Sequence, residues 1–304
     1  MDFGRELKIS LLEERVPIAL ELLDDCTVCP RNCHVNRTAG KFGVCGIDST
    51  VLISSANLHH GEEPPISGER GSGTIFLAGC NLKCVYCQNY PISQFRNGQP
   101  ASISQLADYM TRLEIRGAHN INIVTPSHCI PQIMAALLEA YKNGLRLPIV
   151  YNSSGYDKVS SLCLLDGIID IYMPDMRYSS GEIAECYSSA EDYPEINKLA
   201  IREMHRQVGL LKLNGQGIAL KGLLVRHLIL PGSISGSEQI FKFIADEISQ
   251  ETYVSLMSQY FPAHKALNIN KINRRIIKGE YREALKAFNK AGLINGFLQP
   301  FVNK

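Results

Sequence analysis

The chain has 304 residues, 45% of them hydrophobic and 20% charged, with a formal net charge of +1. These proportions allow a sizeable buried core and exclude global disorder, and the near-neutral balance gives no overall push towards nucleic acid or a membrane surface. No stretch approaches the ~20 consecutive apolar residues that span a bilayer, and the start, Met1-Asp2-Phe3-Gly4-Arg5-Glu6, lacks the basic then apolar pattern of a secretory leader. A cytoplasmic protein without membrane or nucleic-acid partners is expected, holding one large α/β domain or two smaller ones.

Residues 5–24 read as helical, with Leu7, Leu11, Leu12, Leu22 and Leu23 at rough helical spacing and Pro17 marking a kink or break. Residues 26–72 are rich in Cys, Gly, Pro and Ser, which predicts an irregular, metal-stapled lobe. A reducing cytoplasm disfavours structural disulfides, so clustered cysteines point to metal. Cys26-x2-Cys29-x3-Cys33-x11-Cys45 supplies four soft ligands, which suit structural zinc or a second [4Fe–4S] cluster. Further on, His60, Glu62 and Glu63 stand in His60-Gly61-Glu62-Glu63-Pro64-Pro65. They are candidate substrate-side groups for proton transfer or orientation, against the alternative of a polar loop stopped by proline.

From about residue 73 the pattern changes. Short apolar runs at 74–78, 121–125, 147–151, 168–173, 223–230 and 253–257 alternate with helical periodicity at 103–113, 130–141, 159–165, 196–211 and 237–248. Alternation of this kind implies βαβ units, a parallel sheet and right-handed crossovers. Six units fit a partial (β/α)6 TIM-like barrel better than the eight of a complete one, with a doubly wound open sheet as the competing architecture. The expected organisation is an N-terminal helix and Cys-rich lobe over 1–72, a core barrel over 73–260 and a basic helical extension over 261–304. In that extension, residues 264–290 carry eight Lys and Arg against Glu280 and Glu283, a local excess of six, read as a solvated helical face rather than a docking patch.

The chemistry-bearing segment is Gly79-Cys80-Asn81-Leu82-Lys83-Cys84-Val85-Tyr86-Cys87-Gln88-Asn89, on the loop after the first expected barrel strand. Its Cys80, Cys84 and Cys87 form a C-x3-C-x2-C triplet. A [4Fe–4S] cluster usually takes four thiolates. Three leave one iron open, a position suited to the amino and carboxylate groups of S-adenosylmethionine (SAM). Zinc is the rival, but structural zinc prefers four closed ligands. Tyr86 could pack beside an adenine. Polar residues then recur at the expected C-terminal ends of successive strands: Thr125, Ser127 and His128, then Asn152, Ser153 and Ser154, then Asp175, then Arg226 and His227. Ligands bind at that end of such barrels, and these groups could hold the amino, carboxylate and ribose groups of SAM. Cys129, Cys163 and Cys186 are scattered and read as packing residues.

The C-x3-C-x-aromatic-C pattern is the signature of the radical SAM superfamily, which this chain resembles. The wider stretch is similar to PflX-type proteins, relatives of pyruvate formate-lyase-activating enzymes. The matching pieces are Cys29-Pro30-Arg31-Asn32-Cys33, Gly61-Glu62-Glu63-Pro64, Gly71-Ser72-Gly73-Thr74-Ile75-Phe76, residues 80–89, Tyr151-Asn152-Ser153-Ser154-Gly155-Tyr156, Asp170-Ile171-Tyr172-Met173-Pro174-Asp175 and Val225-Arg226-His227-Leu228. The resemblance runs from about residue 20 almost to the end. It implies a partial (β/α)6 barrel of the radical SAM type, a [4Fe–4S] cluster and SAM. The implied enzyme cleaves SAM reductively to a 5′-deoxyadenosyl radical for hydrogen abstraction, and its reducing partner is a protein such as flavodoxin or ferredoxin.

Two departures narrow this. Activating enzymes usually show Gly-Gly-Glu after the second strand, where this chain has Thr125-Pro126-Ser127-His128. The ferredoxin-like cysteine insert common in glycyl-radical activases is absent, because no cysteine lies between Cys87 and Cys129. The substrate class therefore stays open between a protein, as for an activase-like enzyme, and a small molecule. A non-enzymatic, metal-stabilised binding or electron-transfer module is the remaining alternative.

Overall fold

The computed structural model describes residues 3–301; Met1 and Asp2, weighed above for a leader, and the last three positions of the basic extension lie outside the described residues. The first elements in chain order are α1 (Phe3–Glu21), β1 (Val51–His59), α2 (Pro64–Ser67), β2 (Ser72–Leu77), α3 (Tyr90–Ser93) and β3 (Gln99–Ala101). Next come α4 (Ile103–Ile115), β4 (Ile121–Val124), α5 (Ile130–Lys142), β5 (Ile149–Ser153), α6 (Val159–Cys163), β6 (Ile171–Pro174) and α7 (Gly181–Ser188). The remainder are α8 (Tyr193–Val208), β7 (Lys212–Leu213), β8 (Ala219–Leu228), α9 (Ser237–Phe243), β9 (Tyr253–Met257), α10 (Lys278–Lys290) and β10 (Gly296–Leu298).

The six expected strands are β2, β4, β5, β6, β8 and β9. They lie side by side in chain order and are parallel throughout. Three further strands complete the path of the sheet. β1 pairs antiparallel with β2, β3 antiparallel with β1, and β10 parallel with β9, so the sheet reaches into both segments that flank the expected core. The fold is α/β with a mostly parallel central sheet.

Strand alternation sorts the side chains into two layers. Ile121, Ile123, Tyr151, Tyr172, Val225 and Val254 join one large cluster with the buried faces of α1, α4, α5, α8 and α9. On the opposite face Val150, Ile171, Met173 and Leu224 form a smaller cluster to which none of those helices contributes. A doubly wound sheet needs helices on both faces, whereas here the long crossover helices share one. The other face is partly polar: Thr74 and Asn122 stand opposite each other in register, both fully buried.

Local rules place the helices. Ser102 accepts from the Gln105 backbone N–H while Gln105 reaches back to the Ser102 N–H, a reciprocal cap that starts α4. Pro131 occupies the first turn of α5, where its missing N–H costs nothing. Helix α1 runs on through Pro17 rather than breaking there; Leu12, Val16 and Ala19 stay buried where the helix packs on α5. Among the described residues no helix is long and apolar enough to cross a membrane.

Candidate functional site

The chain leaves β2 through Gly79, at φ +84°, where a side chain would meet Ile47 at 2.6 Å and the Cys45 carbonyl at 3.0 Å. Glycine is required by both the backbone conformation and the close approach. The cysteine loop follows at once. Cys80 and Cys84 are buried and Cys87 half-buried. Burial pushes the Cys80 thiol up to about 12, and the neighbouring Cys84 and Cys87 push the same way, so the three sulfurs share one electrostatic environment. Each has a donor or hydroxyl beside it. The Leu82 N–H lies 3.4 Å from the Cys80 sulfur, the Cys87 sulfur is 3.1 Å from Ser93 Oγ, and Cys84 accepts from Ser188 Oγ at 2.9 Å and an Arg177 Nη at 3.3 Å.

Arg177 connects this loop to the strand ends. It donates to Asp175 Oδ2 at 2.6 Å, and Asp175 Oδ1 accepts from Arg226 Nε at 2.9 Å. Arg226 also donates to Asn152 Oδ1 at 2.7 Å and stands 3.6 Å from Glu62 Oε2. A continuous polar chain therefore runs from Glu62 through Arg226, Asp175 and Arg177 to Cys84. Asn152, Asp175 and Arg226 reach it from the C-terminal ends of β5, β6 and β8, and Glu62 from the loop after β1. Burial raises the Glu62 carboxyl above its ordinary range, with Arg226 opposing and Glu63 adding to the rise. Asn122 lies beside Glu62, although neither of its amide atoms has a well-formed hydrogen bond. One Glu63 carboxylate oxygen is likewise buried without a partner. A cavity of about 450 Å³ opens here, lined by Glu62, Glu63, Ser255, Met257 and residues of β10.

Other sequence candidates lie elsewhere. Tyr86 is buried against Tyr178 and Tyr260, and its hydroxyl accepts from Tyr178 at 2.6 Å. Tyr178 in turn is 2.8 Å from Ser188, which bonds Cys84, so Tyr86 belongs to the wall behind the cysteine loop. His227 points to the helix-packed face, between the Met176 carbonyl and Ser237 Oγ, with its ring against Phe241. His128 is buried under the loop and contacts the Ala78 carbonyl at 3.0 Å, and burial lowers its imidazole to about 3. Ser127 sits beside the buried Asp157, which also accepts from Tyr151 and Ser153. Thr125 takes a left-handed φ of +61° and donates its N–H to the Asn152 carbonyl. Ser154 is buried and its carbonyl accepts from Tyr193. His60 is exposed and lies against Gly71, at the start of β2.

Sequence reading missed Arg177 and Ser188. Arg177 lies two residues past Asp175, and that spacing was a usable hint. Ser188 comes from the end of α7, for which no local signal exists.

The four N-terminal cysteines are also gathered. Burial raises the Cys29 thiol to about 12, with Cys45, Cys26 and Cys33 each adding to the rise. The two cysteine groups are neighbours, because Arg31 Nε donates to the Asn81 carbonyl at 2.7 Å. Among the described residues no set of three or more His, Cys, Asp or Glu side chains is arranged to hold a metal ion.

No family model matches the chain. It is 31% identical over 297 residues to the uncharacterized protein MJ0674 of Methanocaldococcus jannaschii, a match covering 94% of this chain and 81% of that protein. The chain belongs to the MJ0674 family. A second uncharacterized protein of that organism, MJ0808, is 22% identical over 271 residues, covering 82% of this chain and 75% of its own length. Neither relative's name specifies an activity, so the chemistry has to be argued from the side chains.

Proposed function

We propose that this chain is a radical SAM enzyme in which Cys80, Cys84 and Cys87 would hold a [4Fe–4S] cluster. The observation that carries the reading is the Arg177–Asp175–Arg226 chain, which joins a three-cysteine loop after the first parallel strand to the ends of β5, β6 and β8. Helices on one face and a sheet in strict chain order support a partial (β/α)6 barrel. The donor set fits the group. Three soft thiols lie together, and a cluster takes its thiolates on separate irons, a wider arrangement than the ligands of one ion.

When bound, the cluster supplies one electron for cleavage of a carbon–sulfur bond of SAM. The chain's own groups do the rest. Arg177 and Ser188 donate to the Cys84 sulfur and stabilise negative charge on it. Asp175 fixes both guanidiniums, leaving Asn152 and Arg226 to orient a polar ligand at the strand ends. Glu62 and Glu63 line a separate cavity on the same face, which is room for the molecule that loses a hydrogen atom. That volume favours a small molecule or one extended residue of a peptide. A reducing compartment and a low-potential donor such as flavodoxin or ferredoxin belong to the same proposal.

The test is anaerobic reconstitution with iron and sulfide, then dithionite in the presence of SAM. Formation of 5′-deoxyadenosine is expected, and its loss in Cys84→Ala. A reconstituted, reduced wild type that binds SAM without ever cleaving it, candidate substrates included, ends the proposal.

A further inference from the structure

The proposed chemistry leaves the N-terminal lobe unused, and one residue there has no ordinary explanation. Arg37 is fully buried. Its Nε and one Nη donate to the Asp48 carbonyl at 3.0 and 2.7 Å, and its other Nη to the His128 carbonyl at 2.7 Å. The same Nη lies 3.9 Å from the Cys26 sulfur, and none of these bonds goes to a carboxylate. The groups whose negative charge it would feel are Cys129, Cys45 and Cys26. A buried guanidinium whose partners are neutral carbonyls and the Cys26 and Cys129 sulfurs carries an uncompensated charge while those sulfurs are thiols, which is strongly unfavourable. Neutral thiols do not remove that cost, whereas thiolates do.

We infer that Cys26, Cys29, Cys33 and Cys45 hold a second [4Fe–4S] cluster of net negative charge, that Arg37 is its buried counter-cation, and that the cluster braces the Cys80 loop. Four thiolates around a [4Fe–4S]²⁺ core sum to a charge of −2, which Arg37 offsets, and they sit on separate irons, a wider arrangement than the ligands of one ion. The bracing is visible in three contacts. Arg31, between Cys29 and Cys33, donates to the Asn81 carbonyl. Ile47 and the Cys45 carbonyl crowd Gly79. Arg37 holds the His128 carbonyl while the His128 ring contacts the Ala78 carbonyl. The Val44 N–H adds a bond to the Cys33 sulfur at 3.3 Å, the kind of donor that metal-bound thiolates accept.

This inference stands independently of radical chemistry and is tested without it. The Cys80→Ala/Cys84→Ala/Cys87→Ala variant is purified and reconstituted anaerobically, then assayed for iron, zinc and acid-labile sulfide. About four irons with matching sulfide per chain are expected. That content should disappear when Cys29→Ala and Cys33→Ala are added. Absence of iron and sulfide, or zinc bound in their place, overturns the inference.

Arg37 is tested in the same background. Arg37→Gln should release the metal to a chelator at least tenfold faster, and Arg37→Lys, which keeps the charge, should recover part of the difference. Equal release from all three refutes the counter-cation. For bracing, Cys29→Ala/Cys33→Ala should speed amide exchange at residues 79–82, and unchanged exchange there refutes it. Iron and sulfide retained in the triple variant, alongside a wild type that never cleaves SAM, would sink the radical proposal and leave this one intact.

Discussion

His227 shows how one residue's partners set a pH dependence. The Met176 carbonyl can only accept, so Nδ1 carries the proton and Nε2 accepts from the Ser237 hydroxyl. The neutral ring satisfies both partners, and protonation would leave Nε2–H facing a hydroxyl in a buried site. Burial accordingly holds the group down to about 4, against 6.5 in an unfolded chain. Between those values the unfolded state binds the extra proton, so stability falls as pH drops from about 6.5 towards 4 and is unaffected above 7. Urea titrations at pH 7 and pH 5 should show wild type losing about 2 kcal/mol more than His227→Asn, which keeps a donor near Nδ1. Equal losses would mean that the imidazole is not held neutral. The face that His227 occupies was legible in advance. Neighbours in a strand point to opposite sides, so Arg226 and His227 could not both reach one ligand. Asn152 and Asp175 stood out because each follows an apolar run, and Arg226 because it interrupts one. The Arg177 contact depends on how the β2 loop folds back over β6, which no local pattern carries.

At the level of elements, the apolar runs of the six parallel strands stood out because both faces of each are covered. The strands that escaped reading lack that signal. β1 contains Ser54, Ser55 and Asn57 with mixed burial, β3 contains Pro100, and β10 has three residues at a sheet edge. Caps were written more plainly. Ser102→Ala removes the hydroxyl half of the α4 capping box, leaving Gln105 to accept from the backbone N–H of residue 102, and should cost about 1 kcal/mol in thermal or urea unfolding. The turn after β5 behaves differently because it sits against the site. Gly155 has φ +71°, and a Cβ there would come within 2.1 Å of the Asn197 amide and 2.4 Å of the Asp175 carbonyl. Asn197 donates to both the Gly155 and Asp175 carbonyls and so ties the turn to the end of β6. If the proposed function holds, Gly155→Ala should therefore weaken SAM binding several-fold by calorimetry as well as lower the melting temperature. A variant that loses stability with SAM affinity intact would confine Gly155 to the fold.

For the whole molecule, the decisive feature is that the long crossover helices cover one face and leave the other to side chains from many strands. Charged groups from β6, β8 and the loop after β1 consequently meet there, far apart in sequence and largely out of water. Asp175 is the shared anion, held by Arg177 at 2.6 Å and Arg226 at 2.9 Å. Asp175→Asn leaves two mostly buried guanidiniums with Glu62 as the nearest remaining carboxylate, and removing one partner of such a group costs roughly 3–5 kcal/mol. Arg226→Gln should cost less, since Asp175 keeps Arg177. If the three form one network, Asp175→Asn/Arg226→Gln will lose less than the two single losses added together, by about 1–3 kcal/mol. Additive losses in urea unfolding would show that Asp175 and Arg226 act separately, and the continuous path from Glu62 to Cys84 would then have no energetic content.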